Sequence, residues 1–118
     1  ADRLLGYTMS VGYMPMLDML AEIGYDAHYL LDPIADGKPA DVTRVKSAFR
    51  NRTAVIGGLH AHITLERGEP DQIREELYNA VYLLGSGGGL ALTPSEAIFA
   101  NTPWQNLEIL IEAWKEVR

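Results

Sequence analysis

The sequence predicts an α/β fold of parallel strands, four β-α units of a (β/α)8 TIM barrel, which amounts to half a barrel. Three observations carry this prediction. Short apolar strand segments alternate with helical stretches four times along the 118 residues, the order of parallel strands joined by right-handed crossovers. Glycine-rich punctuation, Gly24 and Gly85–Gly89, falls where a helix gives way to a strand. A closed barrel of this kind needs eight strands, whereas about four are on offer here.

In chain order, Leu4–Ser10 reads as a short strand, and Pro15–Ile23 as a helix closed by Gly24 in the left-handed position past its end. Asp26–Leu31 is the second strand, ending at Asp32-Pro33. Pro39–Asn51 is the second helix, with Val42, Val45, Ala48 and Phe49 at helical spacing. Thr53–Gly58 is a third strand, continuously apolar as in a sheet covered on both faces. A longer loop then runs through His60 and His62 to Gly68. Pro70 opens a helix whose apolar stripe is Ile73, Leu77, Ala80, Val81 and Leu84, and the charged residues of Glu66–Glu76 read as its solvated face. Leu90-Ala91-Leu92 is the fourth strand. The last helix carries a capping-box pattern, Thr102 at the cap, Pro103 in the first turn and Gln105 three on, with Leu107, Leu110, Ile111, Trp114 and Val117 as its buried face. Residues 1–118 form one domain, and no linker or low-complexity tract divides them.

Composition narrows the function classes. The net charge of −6 disfavours nonspecific binding to nucleic acid or anionic membranes, both of which need a basic footprint. The absence of cysteine excludes disulfides, thiolate catalysis and cysteine-ligated zinc. No apolar run approaches the ~20 residues of a membrane span, and Ala1-Asp2-Arg3 is not a signal peptide. Cytoplasmic residence is the default expectation. The missing initiator Met suggests a processed or excised segment.

Ligands of parallel α/β folds sit at the carboxyl ends of the strands. That rule nominates Thr8 to Gly12, Asp32, Gly57 to His62, and Thr93 to Ser95. Asp32-Pro33 is either a general acid/base or ligand group, or a turn-forming Asp before Pro. His60-Ala61-His62 has the spacing of a two-histidine metal arm that Asp32 or Glu96 would complete; its plainer reading is two loop histidines in solvent. Gly85-Ser86-Gly87-Gly88-Gly89 follows a helix and precedes a strand, the reverse of a phosphate cradle, and reads as a helix stop. Met9, Met14, Met16 and Met19, together with Trp104, Trp114 and the six tyrosines, read first as packing.

Several segments together resemble the carboxyl-terminal half of the uroporphyrinogen decarboxylase superfamily, which includes the corrinoid-linked methyltransferases. They are Met16–Ala27, Ile56-Gly57-Gly58-Leu59, Thr64–Pro70, Gly87–Pro94 and Thr102-Pro103-Trp104-Gln105-Asn106-Leu107. The wording is closer to the methyltransferase-like branch than to the decarboxylase. The resemblance implies a (β/α)8 barrel whose cleft accepts a tetrapyrrole, a corrinoid or a methylated substrate. It also exposes departures. The zinc methyltransferases carry a His-x-Cys pair where this chain has Thr8 and Ser10, and a second cysteine near Pro94 or Ser95, where none stands. The decarboxylase has a histidine in that last loop, and this chain offers Ser95. Zinc is therefore not expected, and no tightly bound cofactor is, while a corrinoid remains the cofactor that the resemblance admits.

The resulting expectation is a methyltransferase-like domain with Asp32 and Ser95 as catalytic candidates and Thr8, Ser10 and His60 as substrate-binding candidates. Its alternatives are a non-catalytic binding module or subunit fragment, and a metal-dependent hydrolase built on His60 and His62. Four units leave the inner sheet face open, with Val55, Leu90 and Leu92 expected on it. A homodimer approximating an eight-stranded barrel, or a complementing amino-terminal half, is the expected partner.

Overall fold

The structure, a computed structural model, describes residues 2–35, 37–50 and 52–118. Its four-stranded sheet runs β1 (Gly6–Thr8), β2 (Ala27–Leu31), β5 (Ala54–Leu59), β6 (Leu90–Pro94), with every neighbouring pair parallel. The helices α1 (Leu17–Ile23), α2 (Val42–Phe49), α3 (Pro70–Asn79) and α4 (Trp104–Val117) alternate with these strands. This is the predicted α/β architecture, compatible with half of a TIM barrel. A small antiparallel pair, β3 (Ile34–Ala35) and β4 (Lys38–Pro39), lies in the connection to α2.

The expected second helix is therefore too long at its start. Pro39 has no N–H to give a helix and sits in the β3–β4 pair, and α2 begins only after Asp41, whose carboxylate accepts the Arg44 N–H at 2.9 Å. The predicted end at Asn51 lies outside the described residues. The expected loop from His60 to Gly68 is instead a π-helical turn, Ala61–Glu66, nucleated by the His60 side chain, whose Nδ1 accepts the N–H groups of His62 and Ile63. A second π segment, Ala80–Leu84, extends α3. Gly24 closes α1 at φ 74°, as expected, and Gly87, Gly88 and Gly89 all take positive φ in the turn before β6.

Two packed clusters hold the helices to one face of the sheet. Leu17, Leu20, Val45 and Phe49 from α1 and α2 meet Leu31 and Val55, and Ile73 and Leu77 from α3 meet Leu59 and Ala113. Burial of each large side chain contributes about 1.5–3 kcal/mol. Val55 and Leu90 thus face the helices, not the barrel interior, and Leu92 packs against the second cluster. The pairing register aligns Thr8, Tyr29, Ile56 and Ala91 on the opposite face, and Tyr29 is 42% exposed there. A continuous apolar run hides which residues face which way, so the expected inner face was one residue out of phase.

The α4 stripe is shifted too. Ile109, Leu110, Ala113 and Val117 pack inward, while Ile111 and Trp114 stay 47% and 40% exposed. Its Thr102 cap does not form, because Pro103 occupies the cap position without a side-chain bond. The reciprocal capping box forms at α3, between Glu69 and Gln72. Of the methionines, Met9, Met14 and Met16 pack against the core and Met19 is exposed; Trp104 is exposed as well. Among the described residues no helix is long and apolar enough to cross a membrane.

Candidate functional site

Parallel strands end on the same edge of a sheet, so the residue following each one is delivered to a common place. Asp32 follows β2, His60 follows β5 and Ser95 follows β6. Local backbone sets their aim. Between Tyr29 and Leu31 the β2–β5 register slips, with Leu30 in the left-handed region at φ 63°. Gly57 lies against the Leu31 backbone there, and a Cβ at that position would strike the Leu31 N and O atoms. The bulge turns the end of β2 toward the neighbouring strand ends.

Asp32 is the centre of the cluster. Its Oδ1 accepts the Ile34 N–H at 2.7 Å, an Asx turn, and its Oδ2 accepts the Ser95 hydroxyl at 3.1 Å. The His60 Nε2 stands 3.6 Å from the same Oδ2, beyond a hydrogen bond but within coulombic reach. The Tyr13 hydroxyl donates to the Asp32 carbonyl at 2.6 Å, and the Asp32 N–H donates to the Ser10 carbonyl at 3.2 Å. Burial raises the Asp32 carboxyl above its ordinary range, against the downward pull of the Ile34 N–H, the His60 ring and the Ser95 hydroxyl. A carboxyl so placed can hold or release a proton, or accept an N–H from a ligand through Oδ2, which carries the longer of its two bonds.

The arrangement is not a nucleophilic triad. Ser95 is fully buried and its hydroxyl donates a hydrogen bond to Asp32, with no histidine nitrogen among the described residues bonded to its Oγ. It orients the carboxylate rather than facing open space. His60 is the partly exposed member, its side chain 16% accessible. Since Nδ1 accepts two backbone N–H groups, the neutral ring carries its hydrogen on Nε2, toward Asp32. Ser10 reaches the cluster through its backbone, and Thr8 lies exposed on the open sheet face beside Tyr29.

His60 and His62 do not converge on one point. Their ring centroids are 6.5 Å apart at 67°, and the His62 nitrogens face Glu66 Oε2 at 2.9 Å and Glu96 Oε2 at 3.2 Å. Among the described residues no group of three or more His, Cys, Asp or Glu could hold a metal ion. The metal-arm reading thus lacks the geometry it requires. His62 instead clasps the two loops, stacked on Phe99 with centroids 5.4 Å apart. Its bond to Glu66, chiefly, raises its pKa.

Three polar residues escaped the sequence reading. Glu76, expected on a solvated face, is half-buried. It accepts the His60 N–H at 2.6 Å and the Thr64 hydroxyl at 2.8 Å, and burial pushes its carboxyl up to about 7. Its spacing after Ile73 placed it on the apolar stripe, a signal available in the sequence. Asn106 ties α4 to the π turn by donating to the Leu65 carbonyl at 2.8 Å. His28, fully buried on β2, bonds Tyr25 and Met9.

A sheet of parallel strands, with helices on one face and a polar cluster at the strand ends, defines a barrel-type α/β domain. No family model matches the chain, and no curated protein does. Among solved structures it is similar to a methyltransferase from Methanosarcina mazei, at a TM-score of 0.71 and 23% identity. The match covers 98% of this chain and 32% of that one, so the chain spans about a third of its neighbour's length. At this identity the likeness establishes the fold alone, an α/β fold that the chain shares with part of that protein.

Proposed function

We propose that this chain is the carboxyl-terminal half-barrel of a methyltransferase-like enzyme of the uroporphyrinogen decarboxylase superfamily, forming one wall of a cleft for a corrinoid, a tetrapyrrole or a methylated substrate. The observation that carries the reading is the convergence of Asp32, His60 and Ser95 from three successive strand ends on one buried carboxylate. In this reading Asp32 handles a proton or accepts a ligand N–H, Ser95 and the Ile34 N–H position it, and His60, with Thr8 and Ser10, borders the ligand. The sequence segments that resemble the superfamily, and the structural likeness to a methyltransferase, both support it. Titration of the chain with a corrinoid and, separately, with coproporphyrinogen tests the reading. Saturable binding of either supports it, and binding of neither overturns it.

The open sheet face calls for closure. A twofold axis along the barrel would set β6 of one copy beside β1 of another with all strands parallel, covering Tyr29 and the 88%-exposed Leu4 region in an eight-stranded barrel. In this second reading, the alternative to cover by a complementing amino-terminal half-barrel, the chain is a homodimer. Sedimentation analysis at micromolar concentration reads a dimer if so, and a clean monomer removes the idea.

A further inference from the structure

On the helix side of the sheet, away from the open face, a cavity of about 400 Å3 lies between the start of α2 and the length of α3. That volume is within the range of small-molecule pockets. Its walls are apolar where Pro33, Val42, Ala80 and Leu84 contribute, and its charged groups are the carboxylates of Asp41, Glu75 and Glu76. Among the described residues no lysine, arginine or histidine lines it. Both π-helical segments, through Thr64 and through Ala80 and Leu84, supply its walls, and such irregular turns are frequent at functional sites.

The geometry points to a second ligand site here, for a small organic monocation with a short alkyl body, its ammonium seated at Glu76 and its chain against Ala80 and Leu84. Glu76 is held by two neutral donors, the His60 N–H and the Thr64 hydroxyl, and among the described residues no cation pairs with it. A buried carboxylate without a counter-ion is costly to ionise, which is consistent with the rise of its pKa to about 7. An ammonium ion supplies the missing charge, whereas a carboxylate ligand would meet three of its own sign. The alkyl walls select against a bare metal ion, which has nothing to bury there. This inference stands apart from whatever the barrel cleft binds.

Isothermal titration with n-butylammonium, n-butanol and butyrate at pH 8 tests it. Butylammonium is expected to bind at least tenfold more tightly than either isostere, and at least tenfold less tightly at pH 5, where Glu76 takes up its proton. Glu76→Gln keeps an acceptor for the His60 N–H and removes the charge; it should cost tenfold or more. Asn79→Trp, at the exposed rim, should block entry without disturbing the core. Butylammonium binding no tighter than butanol, or binding that survives either substitution, overturns the proposal.

Discussion

His28 and His60 leave the same sheet from adjacent strands and do different work. His28 is fully buried, with Nδ1 2.8 Å from the Tyr25 hydroxyl and Nε2 2.7 Å from the Met9 carbonyl. The rings of Tyr13, Tyr25 and Phe49 surround it with centroids within 6 Å. Burial lowers its pKa, which favours the neutral ring as a polar tie inside the core. His60 is partly exposed, and its Nε2 faces a carboxylate at 3.6 Å without closing a hydrogen bond. The first is saturated and walled in; the second stands one small movement from accepting a new partner. Residue type alone does not mark a site; residual access and an incompletely satisfied neighbour do.

Substitutions sharpen the contrast. His28→Ala opens a core cavity and orphans a buried carbonyl and a hydroxyl, and is expected to cost about 3 kcal/mol or more. His60→Ala removes a cap for two N–H groups and should cost about 1 kcal/mol. Urea denaturation of both reads the difference, and equal losses break the comparison.

Glu76 gives the next largest effect. Its folded pKa of about 7 lies above the reference 4.5, so the fold favours its protonated form. The stability this group contributes is complete below pH 4.5 and is lost as pH rises through 7. The stability of wild type relative to Glu76→Gln should therefore fall by roughly 2–3 kcal/mol between pH 4.5 and pH 8. Chemical denaturation across that range checks it, and a constant difference contradicts it. Ser95→Ala should cost about 1 kcal/mol. It should also raise the Asp32 carboxyl further, since the lost bond holds it down; carboxyl carbon shifts followed through the titration read this directly. The smallest effect belongs to His62, which should titrate above an ordinary histidine by NMR, and less so in Glu96→Gln.

The alternation of strands and helices was legible because both periods are written in the apolar residues. The strand-end rule nominates Asp32, His60 and Ser95 among four stretches that also include Thr8 to Gly12. What escaped depended on groups distant in sequence. The π turn at Ala61–Glu66 exists because the His60 side chain caps it and Glu76, 16 residues on, accepts the His60 N–H. The β3–β4 pair captured Pro39 from the expected helix. The phase of β5 could not be read from six consecutive apolar or glycine residues, and it decided which side chains the open face presents. The place of Ser95 in the last loop does not tell that it is buried, with its hydroxyl donating to Asp32.

The proposed function places the Asp32 carboxylate in a corrinoid or tetrapyrrole cleft. An absorbance titration of a corrinoid with wild type and with Asp32→Asn tests it most directly. Saturable binding is expected, weakening at least tenfold in the variant while its denaturation midpoint stays near wild type. Binding unchanged by Asp32→Asn, or no saturable binding of the corrinoid or of coproporphyrinogen, contradicts it.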